Sequence, residues 1–150
     1  MIKILFICHG NICRSPMAEF IMKELVRQTG RTHEFYIASA AVSTEEIGHD
    51  IDDRARKKLR GEGIPIERRR AVQLQKEDYG RYDWLIGMDR YNRRGILRIL
   101  GEDPSKKVRL LLDFTDSPGE VADPWYTGDF DTAYRDIARG CRGLLETLLR

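Results

Sequence analysis

The sequence predicts an α/β fold, a three-layer sandwich in which a four-stranded parallel sheet is flanked by helices. Short runs of branched and aromatic residues alternate with longer amphipathic stretches, the order expected of strand–helix–strand units. The first run, Ile2 to Ile7, is apolar apart from Lys3, as suits a central strand covered on both faces. Glycine, proline or a capping residue marks most boundaries. At 150 residues the chain is expected to form one domain, 1–150, with a single core.

The elements follow in order. After the first strand, Ser15-Pro16 reads as N-cap and first helical residue, since proline has a preset φ and needs no N–H partner there. Met17, Phe20, Ile21 and Leu25 recur at helical spacing, and Gly30 is a stop. Glu34 to Ala41 reads as the second strand. A loop with Gly48 leads to a helix from about Asp52 to Arg60, closed by Gly61 and Gly63. Asp83 to Met88 is the third strand, and Asp89 caps a helix with Ile96, Leu97, Ile99 and Leu100 on its apolar face. Val108 to Leu112 is the fourth strand. A long loop, Asp113 to Asp129, precedes a last helix from about Phe130 to Leu149.

Composition narrows the function classes. Apolar residues make up 41% and charged residues 33%, which suits a globular chain. Net charge is +2 with both signs dispersed, so no nucleic-acid partner is expected; Arg68-Arg69-Arg70 reads as ordinary solvated basic surface. No run is long and apolar enough to span a bilayer, and Met1-Ile2-Lys3 runs straight into the first strand rather than into a signal peptide. Three cysteines do not make a disulfide framework, and a reducing cytoplasm is the expected location. His33 and His49 read as surface residues. No spacing suggests a metal site, and no cofactor is expected.

The stretch Cys8-His9-Gly10-Asn11-Ile12-Cys13-Arg14-Ser15 joins the first strand to the first helix. Strand, tight turn and helix start place several backbone N–H groups around one anion. An ordinary cysteine is mostly protonated at neutral pH, and the thiolate is its reactive form. The helix N-terminus favours negative charge at Cys8 by about 0.3–2 kcal/mol, and the loop amides and Arg14 act in the same sense. Arg14 holds two phosphoryl oxygens at once with its planar fork. Gly10 permits close approach of backbone and can take positive φ; Asn11 tolerates the left-handed region and can brace the loop. Ser15 can cap the helix, donate its hydroxyl to the Cys8 sulfur, or both. His9 either tunes the pocket rim or points outward.

A phosphate ester with a phenolic leaving group needs an acid. Asp123, in Ala122-Asp123-Pro124-Trp125-Tyr126, is the candidate: Pro124 biases it to extended backbone, while Trp125 and Tyr126 offer flat walls for a ring. Ile12 is read as a hydrophobic wall, and Phe35, Tyr36, Glu45, Glu46 and Trp125 as possible parts of the rim.

Cys8-x-Gly10-Asn11-x-Cys13-Arg14-Ser15-Pro16-x-Ala18-Glu19, taken with Asp123-Pro124-Trp125-Tyr126, resembles the low-molecular-weight protein tyrosine phosphatases. The likeness continues through Ser39-Ala40, Gly63-Ile64-Pro65, Lys76-Glu77-Asp78 and Met88-Asp89-x-x-Asn92. It implies a metal-free, two-step hydrolysis of phosphotyrosine in protein substrates. Cys8 would be the nucleophile, His9 to Ser15 the phosphate cradle, and Asp123 acid and then base. The chain would be monomeric. Cys13 matches a second cysteine that forms a protective disulfide with an oxidised Cys8; alternatively it is a small buried filler. Many members brace the loop asparagine with a histidine just after Gly-Ile-Pro. Here that stretch is Glu67-Arg68-Arg69-Arg70-Ala71-Val72-Gln73, which leaves Asn11 without its expected partner.

Four other readings compete. Resembling arginine phosphatases carry threonine at the position of Ile12. Arsenate reductases need a mid-chain cysteine pair, absent between Cys13 and Cys141. Phosphocysteine carriers, and non-catalytic phosphotyrosine-binding modules, have no need of both Arg14 and Asp123.

Overall fold

In the computed structural model, which describes residues 1–150, β1 (Ile2–Cys8) is central in one parallel sheet. On one side lies β2 (Phe35–Ala41); on the other come β3 (Trp84–Gly87) and β4 (Val108–Leu110), giving the order β2-β1-β3-β4. The expected α/β sandwich is therefore the observed one. Alternate side chains of β1 serve two cores. Ile4, Phe6 and Cys8 pack under α1 (Arg14–Gln28), α2 (Asp53–Gly61) and the final helix, whereas Leu5 and Ile7 join Leu74, Leu85, Ile96 and Val108 on the opposite face. Full burial of a side chain such as Phe6 contributes about 1.5–3 kcal/mol.

Four further helices complete the chain: α3 (Asp78–Arg81), α4 (Arg90–Leu100), α5 (Pro124–Thr127) and α6 (Phe130–Leu148). Asp89 caps α4 as expected, accepting the Asn92 N–H, and its own N–H donates in return to Asn92 Oδ1. The short α3 and α5 were not anticipated; four residues are too few to show a periodicity.

Two boundaries differ from expectation. Helix α1 opens at Arg14, with Cys13 rather than Ser15 at the N-cap and no side-chain cap bond. The Ser15 hydroxyl is engaged by the Cys8 sulfur instead, and Pro16 falls in the first turn, where its missing N–H still costs nothing. β4 ends at Leu110. The side chain of Asp113 turns back to accept the Leu110 N–H at 3.1 Å, so Leu111–Phe114 becomes a 3-10 turn buried beneath α6.

That contact is close. A Cβ on Gly143 would stand 2.1 Å from the Phe114 carbonyl oxygen, and one on Gly140 2.4 Å from Leu111 Cγ. Gly143→Ala is expected to cost about 1–3 kcal/mol of stability by overpacking, read as a lower denaturant midpoint at unchanged slope.

At the N-terminus of α2, Asp52 accepts the Arg54 N–H at 2.8 Å and its own N–H donates to the Ile12 carbonyl at 2.8 Å. Burial alone would raise the Asp52 carboxyl, but bonds from Arg54 and its charge outweigh this, so the net shift is downward. A carboxylate held low in the folded state stabilises above its unfolded value near 3.9, and that contribution fades as pH falls through the lowered folded value. Asp52→Ala should therefore cost about 0.5–2 kcal/mol at neutral pH, a cost that shrinks in acid melts as pH falls below the unfolded value near 3.9.

Candidate active site

The sheet places the Cys8-to-Ser15 loop at the carboxyl end of its central strand, beside the point where strand order reverses between β1 and β3. Within the loop the left-handed residue is Asn11, at φ 61°; Gly10 is not in that region. Position 10 is instead tight. A Cβ there would stand 3.3 Å from Glu46 Cγ, on the wall of the pocket.

Cys8 is buried at the base. Its sulfur lies 3.0 Å from Ser15 Oγ and 3.4 Å from the Ser15 N–H, so the first turn of α1 points at it. Ser15 Oγ in turn accepts from Asn11 Nδ2 at 2.8 Å, and its hydroxyl hydrogen has the sulfur at 3.0 Å and the Ala40 carbonyl at 3.4 Å within reach. Of the two roles open to Ser15, the cap is not formed, and its hydroxyl lies against the Cys8 sulfur. Asn11 is fully buried and fully bonded. Nδ2 also donates to Ser39 Oγ at 2.9 Å, and Oδ1 accepts from the Val72 N–H at 3.2 Å. Arg69 Nη2 donates to both Oδ1 and the backbone carbonyl of Asn11 at 2.5 Å. Ser39 passes its own hydrogen to Glu19 Oε1 at 2.6 Å.

Arg14 is 2% exposed. Nη1 donates to Asp89 Oδ2 at 2.7 Å and to the Val121 carbonyl at 2.8 Å, and Nη2 reaches Asp123 Oδ2 at 3.3 Å. Burial alone would lower this guanidinium, but the charges of Cys8, Asp89 and Asp123 and the Asp89 bond prevail and its net shift is upward. Burial, and then the negative charge of Asp52 and Cys8, pushes the Cys13 thiol strongly up.

Asp123 is extended, at φ −76° and ψ 111°, as the following proline requires, and it caps α5 through Oδ1 and the Trp125 N–H at 3.0 Å. Trp125 and Tyr126 are exposed and line one pocket with Cys8, Ile12, Arg14, Glu45, Glu46 and Asp123. The Arg54 guanidinium sits 5.1 Å from the Trp125 ring and 4.9 Å from the Phe130 ring, tying the loop to α2 and α6. The arrangement joins a sulfur, an anion cradle, a forked cation and a carboxylic acid within one pocket.

Residues 3–150 match the model of the family described as low molecular weight phosphotyrosine protein phosphatase. The chain belongs to that family. YfkJ of Bacillus subtilis, a low molecular weight protein-tyrosine-phosphatase, is 34% identical over 150 residues, 99% of this chain and 96% of the relative. Its crystal structure superposes with a TM-score of 0.95, covering 99% of this chain and 95% of that one. The human low molecular weight phosphotyrosine protein phosphatase is 35% identical over 149 residues, covering 96% of this chain and 94% of that one. A Drosophila arginine phosphatase, 26% identical, superposes with a TM-score of 0.88 over 99% of both chains. This protein is accordingly a low-molecular-weight protein tyrosine phosphatase, a phosphoric monoester hydrolase.

Most sequence-predicted residues of this phosphatase meet in the pocket; Phe35 does not. It opens β2 opposite Ile2, at the other end of a seven-residue strand, and is buried in the core. At about 3.3 Å per residue it stands about 20 Å from the loop. Tyr36 beside it faces Tyr82 and is likewise remote from the pocket. His9 is exposed and shares the rim, its ring 2.9 Å from Glu45. Arg69 corrects the reading of the arginine cluster as plain solvated surface, since it braces Asn11 where the family commonly uses histidine. Arg54, and Asp89 as a holder of Arg14, were also missed; their partners lie far away in sequence. Arg69→Ala should lower stability by about 1–3 kcal/mol and weaken inorganic phosphate binding several-fold, with Arg69→Lys intermediate, as read by thermal shift with and without phosphate.

Proposed function

We propose that residues 1–150 act as one phosphatase domain that hydrolyses phosphotyrosine in protein substrates through a cysteinyl-phosphate on Cys8. The observation that carries this is the Cys8 sulfur, met by Ser15 Oγ at 3.0 Å, in the same pocket as Asp123. His9 to Ser15 supply loop N–H groups, and the Arg14 fork takes two of the non-bridging oxygens. The thiolate attacks phosphorus; the ester P–O bond breaks and the departing phenolic oxygen takes a proton from Asp123. The Asp123 carboxylate then removes a proton from water as it attacks, the S–P bond breaks, and phosphate leaves with the thiolate restored. Ile12, Trp125 and Tyr126 flank the aromatic ring.

Cys13 lines the same pocket and serves as redox partner. A peroxide converts the Cys8 thiolate to a sulfenic acid, and the Cys13 thiol then condenses with it, releasing water and closing a disulfide. Its strongly raised thiol stays protonated beside a reduced Cys8, so Cys13 resolves rather than competes. The reading takes the chain as a monomer, and three free buried thiols suit a reducing cytoplasm.

Phosphoarginine hydrolysis is the second reading, favoured by the likeness to the Drosophila arginine phosphatase. Half-buried apolar Ile12 on the pocket wall speaks for an aromatic ring instead. Comparing an aryl phosphate, a phosphotyrosine peptide and phosphoarginine decides between them. Cys8→Ser should abolish turnover of all three. Asp123→Ala should slow phosphotyrosine by about 10²–10⁴-fold, with a smaller loss on aryl phosphates whose leaving groups need no acid. Turnover surviving Cys8→Ser would sink the mechanism, and a preference for phosphoarginine the substrate assignment.

A further inference from the structure

Helix α4 begins at Asp89, which grips Arg14, and runs away from the mouth of the site. It carries Arg90, Arg93, Arg94 and Arg98, all exposed, and no acidic residue. Ion pairs engage arginines on other elements, but none engages these four. Besides the capping Asp89, carboxylates stand at both ends of the helix. Glu120 accepts the Arg90 backbone N–H at 2.6 Å, and exposed Glu102 follows the C-terminus. On the opposite side of the mouth the charges are paired: Glu45 with His9, Glu46 with His49, Asp52 with Arg54.

Arg90, Arg94 and Arg98 recur every fourth residue and form one stripe along the solvent face of α4, about 12 Å long. Like charges at this spacing weaken a helix, and Arg90 also sits at the end where the helix dipole repels cations. Only Arg98, in the last turn, is favoured by the dipole. At the near end of the stripe the 62%-exposed Tyr91 is covered by the guanidiniums of Arg90 and Arg94, 5.2 and 5.7 Å from its ring. Tyr91 also lines a hollow of about 420 Å³ shared with Arg14, Asp89, Asp123 and Tyr126. This hollow connects the stripe to the reacting groups.

We propose that the arginine face of α4 docks an acidic segment of the protein substrate, adjacent in sequence to its phosphotyrosine. The hollow takes the residues next to the phosphotyrosine, and the stripe pairs with carboxylates beyond them. An extended chain rises about 3.3 Å per residue, so 12 Å matches about four residues. The assignment rests on phosphotyrosine hydrolysis at Cys8 and narrows its substrates to acidic-flanked sites.

The test uses phosphotyrosine peptides with four acidic residues before or after the phosphotyrosine, neutral counterparts, and p-nitrophenyl phosphate as a substrate too small to reach α4. In low salt, one acidic peptide should exceed its neutral counterpart in kcat/KM by about tenfold, mostly through KM, and the gap should close near 0.5 M salt. Arg94→Gln/Arg98→Gln should shrink the gap, and Arg94→Glu/Arg98→Glu should remove or invert it, with p-nitrophenyl phosphate turnover unchanged in both. An acidic preference that survives charge reversal, or none in the parent protein, overturns the docking surface while leaving the phosphatase intact. Failure to turn over p-nitrophenyl phosphate and peptides alike would overturn the hydrolytic reading itself. Arginine-dependent binding to anionic lipid vesicles, without any peptide preference, would assign the face to a membrane and reject the proposal.

Discussion

The chain must reverse between two buried elements, β1 and α1, within five residues, and the reversal has to leave N–H groups facing inward around a sulfur. Asn11 makes this possible by adopting φ 61°, a conformation costing about 1–2 kcal/mol for a residue with a side chain. The cost is offset by the bonds Asn11 donates to Ser39 and Ser15 and accepts from Val72 and Arg69, partners in β2, in α1 and in the segment after α2. Much of the surrounding architecture supports one strained residue. Because Asn11 is wholly buried, any partner removed leaves a polar atom without water to replace it.

A second layer of support governs the acid. Asp123 lies 109 residues from Arg14, on a loop with little structure beyond the single turn of α5. It is located by the Arg14 guanidinium, by the Val121 carbonyl on the same guanidinium, and by Arg54 between Trp125 and Phe130. The same cation therefore anchors the acid loop and faces the phosphate cradle. Asp89 adds a third tie, so the end of β3 enters the same network.

What could be read from the sequence was what depends on neighbours in the chain. The strand–loop–helix around Cys8, the extended backbone at Asp123 before Pro124, and the Asp89 cap are local, and each appears where the residue types require it. Parallel order followed from the alternation of elements. Features set by distant partners were not legible. For Ser15 both the cap and the bond to the Cys8 sulfur were open, and the choice between them is a tertiary fact; Phe35 looked like a rim aromatic because strand direction, which sends it to the far end of the sheet, is not written in its type. Arg69 was hidden among identical neighbours; only the path of the chain after α2 separates it from Arg68 and Arg70.

The guanidinium on Asn11 has a consequence for how the cradle responds to its surroundings. An imidazole in that place would exchange a proton within the physiological range and would alternate between one and two donors as it did so. Arginine keeps every donor hydrogen under all conditions the fold survives. The contact of Arg69 with Asn11 is thus indifferent to acidification, and this one support of the loop is the same in an acidic medium as in a neutral one.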